Sequence, residues 1–279
     1  SSDVCSSDLI YIPAYNAALT LPRVFHRLAP HVKKHVSEIL VVDNHSADDT
    51  SLVAVQIGEK ENLHNLRLIR NERNEGYGGS QKIAYKHCIN QNFLGVVMLH
   101  GDAQYAPELV ETLLKPILDG SADMVFGSRF TGDPLKGGMP LHRYLGNRVL
   151  TTIQNLLLGM KLSEYHSGYR VFSVNALKKV PFERFSSDYH FDTEVIIAFA
   201  HENLRIAEMP IPTHYGDEEN YVNIWKYGLD VLVTTFSYFL HARGIRRSRN
   251  WGRISWDSIR SNWASSIIGW TPRSKGTRT

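Results

Sequence analysis

Apolar and polar positions repeat in a fixed order through the first half of the chain. Short runs rich in Val, Ile and Leu, bounded by turn residues, predict strands over Leu9–Ile12, Ile39–Val42, Leu66–Ile69, Val96–Leu99 and Met124–Phe126. Between the first two, Leu21, Val24, Phe25 and Leu28 follow i, i+3, i+4, i+7 spacing, the apolar face of a helix. Ser46 and Asp49 form an S-x-x-D start for the next helix. Gly79–Gln91 and Pro107–Leu118 supply two more. Strand and helix in alternation predict a parallel α/β sheet with right-handed crossovers. Ligands of such sheets sit beyond the carboxyl ends of the strands, so the residues that follow each strand matter most. The second half is less regular. It predicts helices over Leu141–Leu158 and Thr193–His201, a strand over Arg205–Met209, and a long amphipathic helix over Ile224–His241. No repeat and no Gly/Ser/Pro linker divides the chain. The expected layout is one domain over 9–221, an amphipathic helix over 222–241 and a basic tail over 242–279.

Composition changes this picture in three places. The net charge of +3 hides an asymmetry. Beyond residue 240 lie nine basic residues and one acid, Asp257, so the tail carries +8 and the remainder −5. A basic, Trp-containing tail on an acidic body fits an anionic surface, a membrane before a nucleic acid. No stretch approaches the ~20 apolar residues of a spanning helix; the best, Leu229–Leu240, contains Asp230, Thr234, Thr235 and Ser237. Cys5 and Cys88 alone make no disulfide framework and no Cys-based zinc site, which fits a reducing compartment. Residues 1–8 match the translation of a common short-read sequencing adaptor and are read as foreign to the fold, so the natural start is expected elsewhere.

Candidate chemistry gathers after the strands. Pro13-Ala-Tyr15-Asn16 follows the first; proline is expected to stop the strand by removing a ladder donor and to leave Tyr15 at the sheet mouth, where a ring could stack on a base. Asp43, after the second, is placed to accept from a base N–H or a ribose hydroxyl, or to hold a capping turn. Asn74-Glu-Gly76-Tyr-Gly78-Gly79 is a glycine turn into a helix but neither a dinucleotide fingerprint nor a Walker loop. His100-Gly-Asp102-Ala-Gln104 is the most informative segment: a carboxylate and an amide oxygen two residues apart suit Mg²⁺ or Mn²⁺ completed by a diphosphate and water.

In this order, P-A-Y-N at Pro13–Asn16, V-V-D-N-x-S at Val41–Ser46, N-E-G-x-G-G at Asn74–Gly79, G-D-x-Q at Gly101–Gln104, G-S-R at Gly127–Arg129, H-S-G-Y-R at His166–Arg170 and P-I-P at Pro210–Pro212 resemble the family-2 glycosyltransferases, in particular their dolichyl-phosphate mannose synthase-like branch. The resemblance runs from about Leu9 to about Leu240. It implies a GT-A fold, a Rossmann-like, mostly parallel sheet flanked by helices. It implies a nucleotide site at Pro13, Tyr15, Asn16, Asp43 and Gly78, and a metal at Asp102 and Gln104 with His100 as a third candidate. It implies catalytic roles for Asp102, Arg129 and Arg143, the arginines near phosphate, and an acceptor-sugar pocket at His166, Ser167 and Gly168. The sequence departs from the branch at His100, Asn44 and Glu164, where Asp is expected, and at His214–Asn220 after P-I-P, where an Arg and then a Lys are expected.

The function these readings imply is inverting transfer of a sugar from a nucleotide-diphosphate donor, with Mg²⁺ or Mn²⁺, to a polyprenyl phosphate in cell-envelope glycan or glycolipid synthesis. The expected place is the cytoplasm, peripheral at the inner membrane face. A hydroxyl acceptor would need a base, for which Asp192 or Glu194 is the candidate. Two rivals are a non-catalytic nucleotide- or glycan-binding relative, suggested by His100, and a sugar-1-phosphate nucleotidyltransferase, which would want a glycine-rich loop after the first strand.

Overall fold

The computed structural model describes residues 8–212 and 223–242. Among them seven strands form one sheet: β1 (Asp8–Ala14), β2 (Glu38–Asp43), β3 (Leu66–Arg70), β4 (Gly95–Met98), β5 (Met124–Ser128), β6 (Arg170–Ser173) and β7 (Ile206–Pro210), in the order β3-β2-β1-β4-β6-β5-β7. The helices are α1 (Leu21–Arg27), α2 (Pro30–His35), α3 (Thr50–Glu61), α4 (Tyr77–Asn90), α5 (Val110–Leu118), α6 (Leu141–Leu158), α7 (Val174–Leu177), α8 (Phe191–His201) and α9 (Ile224–Ala242). The expected α/β class with a mostly parallel sheet holds. β1 pairs parallel with β2 and β4, and β2 parallel with β3.

Side-chain alternation in β1 divides the core. Ile10, Ile12 and Ala14 face one apolar cluster with Leu21, Val24 and Phe25 of α1 and Leu113 and Leu114 of α5. Leu9 and Tyr11 face the other, with Tyr85 of α4 and Phe191, Val195 and Phe199 of α8. A parallel sheet covered on both faces needs such continuous apolar runs, and β4, Gly95-Val-Val-Met98, is buried throughout.

Three local expectations change. Pro13 does not stop β1: it lies opposite Val42, and the strand runs on to Ala14. Its carbonyl accepts from Gly101 N–H on the β4 side (3.1 Å), so the donor that proline lacks would also point to that side, past the end of β4, where no ladder needs it. The third helix starts at Thr50, not at Ser46. Ser46 Oγ instead accepts from the Asn16 N–H (2.9 Å), and Asp48 Oδ1 takes the Thr50 N–H (3.0 Å). β6, which the periodicity does not predict, runs antiparallel to both β4 and β5. It is only four residues long, too short to show a period.

Asp8, set apart with the N-terminal segment in the sequence reading, opposes Gly95 in β1. Its carboxyl is buried with Oδ1 lacking a partner among the described residues, and burial pushes its pKa up to about 7. The helix over 224–242 packs on α6 and α8 as part of the body. No helix among the described residues is long and apolar enough to cross a membrane. The basic tail lies outside the described residues apart from Ala242, as do Cys5 and the His214–Asn220 segment.

Candidate active site

At the carboxyl ends of β1, β2 and β4 the chain opens into a cleft of about 1120 Å³, beside the point between β1 and β4 where the strand order reverses. Of the residues singled out in the sequence, Pro13, Tyr15, Asn16, His100, Asp102, Gln104, Arg129, Arg143, His166 and Gly168 line it. Asp43, Gly78, Ser167 and Glu194 do not.

Asp43 is fully buried at the end of β2. One oxygen accepts the Ser46 N–H (2.8 Å) and the other the Ser51 hydroxyl, so in this structure it holds the turn that carries Ser46 under Asn16. Gly78 is a packing residue: a Cβ there would stand 2.6 Å from Ser186 O and 2.7 Å from Phe191 Cβ. Its neighbour Gly76, at φ +79°, has Ser187 O 2.3 Å from a would-be Cβ. The glycine turn therefore admits the 186–187 backbone. Ser167 is buried beneath the cleft wall, its carbonyl accepting from Arg170 Nε (2.9 Å). Glu194 turns to the Ser186 N–H (2.7 Å), away from the cleft.

The residues after β4 make an Asx turn: Ala103 takes φ +62° and Asp102 Oδ1 accepts the Gln104 N–H (3.1 Å). Asp102 Oδ2 stands 3.8 Å from His100 Nδ1. The other ring nitrogen of His100 meets Tyr77 Oη (3.2 Å), and Tyr77 Oη lies 3.0 Å from Asp192 Oδ2. Burial and the Asp192 charge hold the Tyr77 phenol far above its ordinary pKa, so it keeps its proton and donates it to the carboxylate. It must then accept from His100 Nε2–H. In the neutral tautomer that this network selects, the Nδ1 lone pair faces Asp102. A carboxylate, an amide and an imidazole lone pair on one rim fit a divalent ion, with Tyr77 and Asp192 fixing the ring. Gly168 is required here, because a Cβ would lie 2.5 Å from His100 Nε2.

The two arginines differ. Arg129 is clamped by Glu164, which is fully buried: Nε and Nη2 reach Oε1 at 3.0 and 2.5 Å, and the Arg129 N–H reaches Oε2 at 2.8 Å. Arg143, on α6, has no carboxylate partner and its buried Nε no hydrogen-bond partner among the described residues. His166 sits in the wall with Nδ1 2.8 Å from Tyr227 Oη; desolvation, then the Arg129 and Arg170 charges, push its pKa down to about 3, so it is neutral.

The carboxylates of the cleft are nearly all engaged. Asp192 accepts from Tyr77 and from Gln81 Nε2 (3.0 Å) and faces the buried Arg170 Nη2 at 3.4 Å. Asp188 pairs with Lys226. Asp188, His190 and Asp230 bring ligand atoms within 4.8 Å of one another, but the Lys226 ammonium bridges Asp188 and Asp230 (3.3 Å) and already supplies the positive charge there.

Sequence reasoning missed Tyr77, Tyr189 and Tyr227 in the cleft wall. Tyr77 lay inside the glycine motif, and its proximity to Asp192, 115 residues on, has no local signal. The amide at Asn44 has a reason: Nδ2 donates to Asn74 Oδ1 (2.9 Å) while Oδ1 accepts from Asn71 (2.8 Å), and an aspartate could not donate.

The sequence profile of Glycosyl transferase family 2 matches residues 9–181. The chain is 31% identical over 221 residues to the UDP-N-acetylglucosamine–dolichyl-phosphate N-acetylglucosaminyltransferase of Methanococcus voltae, covering 75% of this chain and 87% of that protein. It is 26% identical over 205 residues to the undecaprenyl-phosphate mannosyltransferase of Micrococcus luteus, covering 73% and 82%. Glucosyl-3-phosphoglycerate synthase from Mycobacterium tuberculosis, solved with Mn²⁺, UDP and phosphoglyceric acid, superposes with a TM-score of 0.62 at 19% identity over 84% of this chain and 78% of that one, a likeness of fold.

Proposed function

Because the chain belongs to glycosyl transferase family 2, we propose that it moves a sugar from a nucleotide-diphosphate donor to a polyprenyl phosphate, with inversion at the anomeric carbon. The observation that carries the choice of acceptor is the state of the cleft carboxylates. A hydroxyl acceptor needs a base. Asp188 and Asp192 are tied up in ion pairs and hydrogen bonds, Glu194 faces away, and the neutral His166 is a weak base. A phosphate is already anionic and needs none. The names of the relatives above, which act on dolichyl and undecaprenyl phosphates, support the same choice.

In this reading a phosphate oxygen attacks the anomeric carbon, the bond to the diphosphate oxygen breaks, and nucleoside diphosphate leaves with the electron pair. No proton moves. Tyr15 and Asn16 hold the nucleoside at the rim. Asp102, Gln104 and His100 Nδ1 would hold Mg²⁺ or Mn²⁺, which when bound neutralises the leaving diphosphate. Arg143 receives the acceptor phosphate, and Arg129, neutralised by Glu164, shapes the wall beside it.

The test incubates the full chain with UDP-, GDP- or dTDP-sugars, a short-chain polyprenyl phosphate in detergent, and Mn²⁺ or EDTA. Metal-dependent appearance of glycosylated lipid phosphate with at least one donor supports the proposal. Nucleotide binding without glycosylated product from any donor would favour the non-catalytic rival.

A further inference from the structure

The His100 ring is held on three sides. Its Nε2 meets Tyr77 Oη at 3.2 Å, and Tyr77 Oη donates to Asp192 Oδ2 at 3.0 Å. Asp192 is fixed in turn by Gln81 Nε2 (3.0 Å) and by the buried Arg170 guanidinium (3.4 Å). Tyr105 stands edge-on to the ring with centroids 5.3 Å apart, and its Oη accepts the Gly168 N–H at 2.7 Å. Gly168 lies so close that a Cβ there would fall 2.6 Å from the ring Cε1. Turning the ring over would put Cε1 in the place of Nε2 and lose the bond to Tyr77. The lone pair of Nδ1 is therefore fixed on the Asp102 side. Nδ1 and Asp102 Oδ2 stand 3.8 Å apart, too far for a hydrogen bond to each other. They are close enough to reach one ion, since two ligands bonded at about 2.1 Å can stand up to about 4.2 Å apart.

We infer that this ring makes the rim selective for first-row transition ions over Mg²⁺, with His100 Nδ1 as a direct ligand and Tyr77 and Asp192 as its positioning residues. This selectivity rests on the metal site proposed above and adds which ions that site takes. Mg²⁺ is small, gives up its waters reluctantly and takes oxygen ligands in near-ideal octahedral geometry. A nitrogen aimed in advance offers it little. Mn²⁺ accepts imidazole more readily, and affinity for such a ligand rises further through Fe²⁺ and Co²⁺. The hydrogen bond from Nε2–H to Tyr77, backed by Asp192, raises the basicity of Nδ1 and spares the ring the cost of being ordered when the ion arrives. Asp188, His190 and Asp230 also bring a histidine beside carboxylates, so the test has to separate the two rings.

The experiment prepares the full chain with ¹⁵N-labelled histidine and adds Mn²⁺ with UDP or GDP. Electron spin-echo modulation of the bound Mn²⁺ reads directly bonded nitrogen, and the label assigns it to histidine whatever the base contributes. The signal of free Mn²⁺ gives the affinity and its displacement by Mg²⁺, and thermal melting checks the fold. The wild type should show a histidine nitrogen on the ion. His100→Asp should keep Mn²⁺, lose the nitrogen and release Mn²⁺ at lower Mg²⁺. Tyr77→Phe should weaken Mn²⁺ by about 10–100-fold with Mg²⁺ affinity little changed. Bound Mn²⁺ without histidine nitrogen overturns the inference and leaves the metal site standing. Histidine nitrogen that persists in His100→Asp also overturns it and moves the ion to another ring. Displacement by Mg²⁺ at the same concentration in the wild type and His100→Asp overturns the selectivity. No bound Mn²⁺ with either nucleotide overturns the metal site and the inference together. Should Tyr77→Phe melt early, the spectra of the wild type and His100→Asp decide alone.

Discussion

One wall of the cleft is made of the ends of β1, β2 and β4, and the other of α6, α9 and the loops beside β5 and β6, and the two were built under different constraints. Tyr15 and Asn16, Asn44 and His100–Gln104 sit just past β1, β2 and β4, and bonds between neighbouring strand-end loops or within one turn hold them: Asn16 on Ser46, Asn44 on Asn71 and Asn74, Asp102 on its own turn. On the other wall, Arg143 of α6 and Tyr227 of α9 stand with Arg129, just past β5, and His166, before β6; these come from segments far apart in sequence, and side-chain pairs hold Arg129 on Glu164 and His166 on Tyr227. The first wall tolerates an exposed carboxylate because water solvates it. The second has to neutralise the charges it buries, and Arg129 is matched to Glu164; among the described residues Arg143 has no such match.

The contrast between the two arginines gives the largest expected effect. Arg129→Met leaves the fully buried Glu164 without its counter-charge, so urea unfolding at neutral pH should show a loss of about 3–5 kcal/mol. Adding Glu164→Gln should restore part of it. Arg143→Met should change stability by no more than about 0.5 kcal/mol and act instead on the KM for the lipid phosphate. Equal stability losses for the two arginines would erase the distinction.

On the strand-end wall, Asp102→Ala removes the one acidic member of the proposed metal site. Turnover at limiting Mn²⁺ should fall by at least ~10²–10³, with the melting temperature little changed. Wild-type rates in this variant would remove the metal assignment from the rim.

Burial beneath the helices carries its own pH signature. Glu194 is raised from 4.5 to about 8, chiefly by desolvation. Between those values the native protein holds a proton that the unfolded chain has released, so stability falls as pH rises through that window. Asp8, raised to about 7, acts in the same sense. Glu194→Gln should flatten the dependence and gain on the order of 2 kcal/mol near pH 8, read by denaturant titration from pH 5 to pH 8. A parallel offset at all pH values would place the proton elsewhere.

The smallest effect belongs to Tyr15, 40% exposed at the rim. Tyr15→Ala should weaken nucleotide binding by about 0.5–1.5 kcal/mol in calorimetry, with unchanged unfolding. Altered unfolding with unchanged affinity would make it a packing residue.

The strand-end wall was legible in the sequence because its signal is local: a run of apolar residues, a turn, and a polar side chain two or three positions on. Leu141–Leu158 and the last helix were also read nearly to the residue from their periodicity. Their orientation was not. An amphipathic period does not say which side faces the protein, and only the buried Thr151, Gln154, Thr234 and Thr235 reveal it. The pairing of Arg129 with Glu164 and of Tyr77 with Asp192 spans 35 and 115 residues, a separation over which one sequence carries no signal. Asp43 was seen correctly as a strand-end carboxylate, and its turn-holding bonds explain why it does not reach the cleft.

The most direct test of the account is a matched pair of acceptors, a polyprenyl phosphate and the corresponding polyprenol, offered to the full chain with the same donor and Mn²⁺ in the same detergent. With the cleft carboxylates engaged as they are, transfer should proceed to the phosphate, with a rate insensitive to Glu194→Gln, and should not be detected with the alcohol. Comparable transfer to the alcohol would mean that a group in the cleft acts as a base, and would contradict the assignment of an acceptor that is already anionic.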